Sequence, residues 1–484
     1  MTRKIVIEPV TRVEGHGKVT IHLDDEGNVA QSRFHIVEFR GFERFVQGRP
    51  YWEAPVLVQR LCGICPVSHH LAGAKAMDVV VGAGTGEGLT PTAEKIRRLM
   101  HYGQIFQSHS LHFFHLASPD LLFGYDSPPE TRNVIGIAMA NRELATQAVL
   151  MRKYGQEVIA ATAGKKIHGT GAVPGGVNKS LTAEERDRLL KGDGGPLNAG
   201  QMVAWAQGAL ELFKDYYRKH KDFIDRFSSF PSNHLSLVRK DGALDLYHGV
   251  LRAVDANGKR ILNDVDYQEY LQHLREEVKS WSYMKFPFLK ALGRENGWYR
   301  VGPLARLNTA DFIPTPLAQK EFEGYKAATG GKPNNMCMHT HWARLIEILH
   351  AAEKMRELLQ DPDILGGDLV VKGRRQPEGV GIIEAPRGTL IHHFRVGEDD
   401  LIQMANLIVS TTHNNEPMNR AVNGVARSML TKAREITEGM LNAVEVAIRA
   451  YDPCLSCATH AYGRMPLEVL LYDDRGQLLA RRRK

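Results

Sequence analysis

Four of the five cysteines in this 484-residue chain fall in two Cys-x-x-Cys pairs at its opposite ends. The first pair lies in Arg60-Leu61-Cys62-Gly63-Ile64-Cys65-Pro66-Val67-Ser68-His69-His70, the second in Asp452-Pro453-Cys454-Leu455-Ser456-Cys457-Ala458-Thr459-His460. Together they supply four thiolates, enough for one tetrahedral metal site. Structural zinc is the plain reading, but paired zinc motifs usually sit roughly 15–20 residues apart. These are separated by nearly the whole chain, so the site can close only once the whole protein has folded. That suits a functional centre better than a staple for a small subdomain. Spacing alone does not choose the metal.

The flanks do. R-x-C-G-x-C-x-x-x-H early and D-P-C-x-x-C-x-x-H late together resemble the large subunit of nickel–iron hydrogenases, along essentially the full length. The segment Trp281-Ser282-Tyr283-Met284-Lys285-Phe286-Pro287 looks closest to the cytoplasmic NAD-reducing subgroup. The resemblance implies that Cys62 and Cys454 bind nickel alone, while Cys65 and Cys457 bridge nickel and an iron that carries cyanide and carbon monoxide. It implies a magnesium ion held by Glu43, the Leu407 carbonyl and His460.

Several residues gain a role only through that resemblance. Taken singly, Glu14 in Arg12-Val13-Glu14-Gly15-His16-Gly17 reads as a solvated turn residue, and Glu43 as a surface carboxylate. In the family, Glu14 matches the glutamate that exchanges protons with the nickel thiolate of Cys454. His69, one helical turn after Cys65, becomes a donor to a bridging sulfur. In Glu384-Ala385-Pro386-Arg387-Gly388, Arg387 supplies positive charge beside bound hydrogen and Pro386 walls the pocket around the diatomic ligands. Thr411 hydrogen-bonds a cyanide, and Asp452 lines the pocket. Ser108 stands where many membrane-bound relatives have aspartate and takes no role. Cys337 reads as a small buried apolar residue.

The elements that must position these groups are mixed. Residues 3–38 alternate as an antiparallel β-meander. Cys62–His70 opens a helix reaching Val80, and Thr90-Pro91 caps a long helix extending to about Leu116. Further amphipathic helices are expected near 142–162, 200–226, 339–360 and 434–451, with β-rich sequence at 234–275 turning at Asp255-Ala256-Asn257-Gly258. The expected fold class is α+β: a predominantly helical body with an N-terminal β-meander and smaller β insertions. Residues 1–460 read as one integrated catalytic unit, with a meander at 1–50, helices at 61–230, a β-containing insertion at 231–300 and a helical part with β segments at 301–460. Residues 461–484 read as an extension, strand-like at Leu467–Leu471, which the family removes after nickel insertion by cutting at about His460/Ala461.

Two decoys carry no phosphate chemistry. Val79–Gly88 has Glu87 where a dinucleotide fingerprint needs its third glycine, and Gly169–Ser180 has Asn178 before Lys179. His109, His112 and His115 recur every three residues and read as packed or hydrogen-bonded rather than as a metal cluster.

The composition, 43% hydrophobic and 24% charged, is that of an ordinary globular protein. No membrane span or leader is visible, the cysteine usage fits a reducing compartment, and the cytoplasm is expected. The net charge of +7 has no aromatic-interleaved basic stripe behind it, which argues against nucleic acid. The one remaining cysteine, Cys337, cannot hold an iron–sulfur cluster, so electrons must leave through a cluster-bearing small subunit. The subgroup adds a diaphorase module with flavin (FMN) and NAD, a maturation endopeptidase and nickel-insertion chaperones. The competing readings are a zinc-stapled structural or interaction subunit, and a hydrogenase reducing NADP, a deazaflavin or a ferredoxin.

Overall fold

Alternating apolar and polar residues build the first sheet. β1 (Arg3–Ile7), β2 (Gly17–Leu23) and β3 (Val29–Ile36) pair antiparallel in that order, burying Val19, Ile21 and Phe34 on one face. The computed structural model describes residues 3–84, 88–460, 468–473 and 477–483. Residues 85–87 of the Val79–Gly88 stretch lie outside those described, and so does Ala461 at the expected cut.

α1 (Pro66–Val80) begins directly after Cys65, with proline at the position where a missing N–H costs nothing. α2 (Pro91–Leu111) is capped as expected, the Thr90 hydroxyl accepting from the Ala93 amide at 3.1 Å. Ile96, Leu99, Ile105 and Phe106 are its buried stripe. The helix ends earlier than its pattern. His112–Ala117 is a π-helical turn and a short helix, Ser118–Phe123, follows. Pro119 cannot donate to the His115 carbonyl, and a wider turn accommodates the gap.

α3 (Arg142–Ala163) lies close against α2 because glycines meet there: a Cβ on Gly155 would stand 2.7 Å from the Gly103 carbonyl oxygen. The pattern at 200–226 divides at His220 into α4 (Ala199–Lys219) and a short helix, Lys221–Arg226. β4 (Asn233–Val238), β5 (Val250–Val254) and β6 (Arg260–Val265) are antiparallel, and the two-residue strand Tyr299–Arg300 adds parallel to β4. The expected turn joins β5 to β6, with the Asp255 carboxylate accepting from Asn257 and Lys259 amides.

α5 (His339–Gln360) is buried along its first four turns and runs through the centre of the body. Then β7 (Glu378–Ala385), β8 (Gly388–Val396) and β9 (Ile402–Ile408) form an antiparallel sheet against α1, with Pro386 and Arg387 at the β7–β8 turn. α6 (Asn415–Leu430) and α7 (Glu438–Arg449) lead to the second cysteine pair. Glu468–Tyr472 and Leu478–Arg483 pair as the hairpin that the closing pattern suggests. The largest apolar cluster draws residues from Ile7 to Ala458. Among the described residues no helix is long and apolar enough to cross a membrane.

Candidate metal centre

The two ends of the chain meet through backbone. Glu14 bridges to Cys454 in parallel register, and the Leu455 amide donates to the Glu14 carbonyl at 3.0 Å. Gly15 makes this approach possible. Its φ is +82° and a Cβ there would lie 2.7 Å from the Ser456 nitrogen, so only glycine fits.

The ligand atoms of Cys62, Cys65, Cys454 and Cys457 all lie within 4.8 Å of one another, and all four residues are buried. The Cys62 sulfur is 3.1 Å from that of Cys65 and 3.4 Å from that of Cys454, and the sulfurs of Cys454 and Cys457 are in direct contact. Amides of Ile64 and Cys65 donate to the Cys62 sulfur at 3.2 and 3.0 Å. Burial pushes the Cys62 thiol up, but the Cys65 hydrogen bonds and the Arg387 charge outweigh it and hold the thiol below its ordinary value. The bond to Cys62, together with burial, pushes the Cys65 thiol well above it. Metal loading takes all four as thiolates.

Around the sulfurs sit the groups the sequence nominates. The Glu14 carboxylate accepts from the Cys454 thiol at 3.0 Å and from the Ser456 amide at 3.2 Å, and it also bonds the Ser456 hydroxyl. Arg387 donates to the Asp452 carbonyl at 2.6 Å and to its carboxylate at 3.1 Å. Burial works against that guanidinium's charge, but Asp452, Cys65, Cys62 and Glu14 more than offset it. Thr411 accepts from the Cys454 amide at 3.0 Å, which leaves its own hydroxyl hydrogen to donate. A small cavity is walled by Cys65, His69, Ala385, Pro386, Arg387, Leu390, Val409, Ser410, Thr411 and Cys454. Arg387 Nη1 and Asp452 Oδ2 are buried beside it with no partner among the described residues. Converging sulfurs and unpaired polar atoms fit a bound metal centre.

A second group lies behind the sulfurs. The Glu43 carboxylate accepts from the Leu407 amide at 2.9 Å, and the Glu43 amide donates to the His460 carbonyl at 3.2 Å. The His460 ring bonds the Cys457 carbonyl through Nε2, while Nδ1 is buried without a partner among the described residues. Glu43, Leu407 and His460 therefore meet, as the sequence suggests.

Elsewhere the nominated residues have other partners. His109 bonds Glu347 at 2.8 Å and His112 the Arg449 carbonyl at 2.7 Å, so these two histidines tie separate parts of the helical body together. Among the described residues only the four cysteines are gathered closely enough to bind a metal as a group. Sequence reasoning missed Ser456, Arg306 and His392. Ser456 was visible as the residue before Cys457, and His392 as the position two beyond Leu390 on the same strand face. Arg306 left no local signal.

The profile of the nickel-dependent hydrogenase family matches residues 40–122 and 244–460, and a HoxL-like profile matches residues 4–39. The chain is 55% identical to the beta subunit of the NAD-reducing hydrogenase HoxS of Cupriavidus necator, covering 100% of both. It is 42% identical to a subunit of the F420-non-reducing hydrogenase of Methanothermobacter thermautotrophicus over 99% of each. A crystal structure of an NAD+-reducing nickel–iron hydrogenase in the H2-reduced state superposes with a TM-score of 0.91 at 55% identity, spanning 95% of this chain and 100% of that one. With its four sulfurs converging where those relatives align, this chain belongs to the nickel-dependent hydrogenase family.

Proposed function

We propose that the chain is the catalytic subunit of a cytoplasmic, NAD-reducing nickel–iron hydrogenase that cleaves H2 reversibly into two protons and two electrons. The observation that carries this is the buried convergence of the four cysteine sulfurs with Glu14 against Cys454 and Arg387 against the cavity. Cys62 and Cys454 would hold nickel, and Cys65 and Cys457 would bridge nickel and iron. When bound, such a pair supplies Lewis acidity and redox capacity for heterolytic cleavage.

The protein's own groups do the rest. Cys454 Sγ holds a proton and passes it to Glu14 Oε2 across the 3.0 Å contact. The fixed charge of Arg387, steadied by Asp452, stabilises charge separation in a site with little water to screen it. Pro386, Leu390 and Val409 keep the cavity wall apolar, and Thr411, whose hydroxyl hydrogen is free to donate, would hydrogen-bond a cyanide on iron. Glu43, the Leu407 carbonyl and His460 would hold magnesium, a hard cation that prefers oxygen donors.

Electrons pass to an iron–sulfur small subunit, then to a flavin diaphorase that reduces NAD+; the identity to the Cupriavidus protein supports that acceptor. Residues 1–460 act as one unit, and residues 461–484 are cut away at about His460/Ala461 by a maturation endopeptidase after chaperoned nickel insertion. Two facts support the cut: the family profile stops at residue 460, and 95% of this chain accounts for all of the solved relative. The test is H2-dependent NAD+ reduction by the purified complex, with infrared absorption in the cyanide and carbonyl region. Turnover with those bands is expected. A zinc-only protein without them overturns the proposal.

A further inference from the structure

Two buried imidazoles face each other behind the sulfur cluster. His69 Nδ1 and His392 Nε2 are 3.1 Å apart, with ring centroids at 5.3 Å and planes tilted by 41°. His69 stands on α1 and borders the same cavity as Cys65 and Cys454. His392 stands on β8, 323 residues further along the chain. Across a nitrogen–nitrogen contact of this length only one of the two rings can place a hydrogen between them.

One nitrogen of the contact must therefore donate and the other accept. The far side of His392 decides which. His392 Nδ1 is buried with no hydrogen-bond partner among the described residues. A buried N–H without an acceptor is rarer in folded proteins than a buried acceptor left bare. The His392 hydrogen consequently sits on Nε2 and is donated to His69 Nδ1. With Nδ1 accepting, the His69 hydrogen sits on Nε2, the nitrogen on the opposite side of its ring.

We propose that His392 is a positioning residue for the metal centre: by donating to His69 Nδ1 it fixes His69 as an Nε2–H donor at the cavity wall beside Cys65. This rests on the nickel–iron reading above. A hydrogen bond to a ligand sulfur withdraws electron density and raises the reduction potential of the metal it serves. Losing the His392 hydrogen bond frees His69 to change tautomer or turn, and that support to the sulfur goes with it.

The test compares the assembled enzyme with its H392F and H392Q variants by infrared spectroscopy, redox titration and metal analysis. Phenylalanine keeps a ring but cannot donate, whereas glutamine retains an amide N–H. With both metals bound, H392F is expected to move the carbonyl band to lower wavenumber and lower the midpoint potential. Turnover should fall about 10- to 100-fold, the range seen when groups behind metal ligands are removed, and H392Q should restore most of each change. Wild-type band positions and potential in H392F, or an H392Q variant displaced as far as H392F, would overturn the assignment. Should H392F fail to take up metal, 15N shifts of labelled histidines in the metal-free full chain read the tautomer directly. His69 protonated on Nε2 supports the inference and protonation on Nδ1 refutes it. Wild-type protein with no cyanide or carbonyl bands counts against the nickel–iron reading, while the tautomer readout still judges the histidine pair.

Discussion

Two buried polar clusters flank the Glu384–Gly388 turn, and they differ in completeness. On one side Arg306 donates to Glu347 at 2.6 Å, to Glu384 at 3.0 Å and to the carbonyls of Ala385 and Pro386 at 2.8 and 3.2 Å. The Glu384 carboxylate also takes the Leu237 amide at 2.8 Å and the Thr389 hydroxyl at 2.7 Å. No charged atom of Arg306, Glu347 or Glu384 lacks a partner. On the other side, Arg387 Nη1 and Asp452 Oδ2 have none among the described residues, and four sulfurs crowd together. The first cluster is finished by protein atoms alone and serves as scaffold. The second is arranged for something the chain does not itself contain. Unpaired buried polar atoms are costly, so two of opposite charge left bare beside four converging sulfurs mark function more sharply than the number of buried charges does.

Substitutions on the two sides should fail in different ways. The largest effect belongs to the sulfurs. Cys454→Ser is expected to abolish H2 turnover and bound nickel together, measured by gas uptake and elemental analysis, while circular dichroism keeps the helical signal. Glu14→Gln should keep both metals yet lower kcat by about 10²–10⁴-fold, the span for losing a positioned proton carrier. Hydrogen–deuterium exchange activity should fall with it, and an unchanged exchange rate would remove Glu14 from the proton route. Arg387→Lys keeps the charge but not the forked contact with Asp452, and about a 10²-fold loss in kcat with little change in metal content is expected.

On the scaffold side the loss should be stability. Arg306→Met leaves two buried carboxylates without their cation, costing about 3–5 kcal/mol, which a lowered denaturation midpoint would report. Residual turnover in whatever folds would separate it from the sulfur variants. The smallest effect is a pH slope. Burial pushes the Glu347 carboxyl up, but the charge and hydrogen bonds of Arg306, with the His109 bond, outweigh it and hold the carboxyl at about 2. A depressed folded value stabilises fully above the unfolded carboxylate range and is lost as pH falls toward 2. Acid unfolding of Glu347→Gln should therefore be shallower between about pH 4.5 and 2, and an unaltered slope would deny the pairing its role.

Much of this contrast was legible before any coordinates. The cysteine pairs declared the donor set, whereas the close approach that Gly15 permits between Glu14 and Cys454 shows only in the fold. Thr90-Pro91 marked a helix start that the structure reproduces. The period of the apolar residues could not show where α2 changes to a π-turn, because that depends on Pro119 and on His112 reaching Arg449. α6 escaped notice because Asn414-Asn415-Glu416-Pro417 reads as a turn, although Met418, Ala421, Val422 and Val425 carry the helical spacing. Arg306 and His392 were invisible for a different reason. Each is an ordinary residue in its own segment, and its meaning comes from partners far away in sequence. Local chemistry can nominate ligands, but only the fold can show which neighbours complete them.

Anomalous X-ray scattering from crystals of the mature multi-subunit complex, recorded at the nickel and iron absorption edges, tests the central assignment most directly. The account predicts one nickel peak and one iron peak side by side among the sulfurs of Cys62, Cys65, Cys454 and Cys457. A single zinc signal there, or nickel and iron located elsewhere, would contradict it.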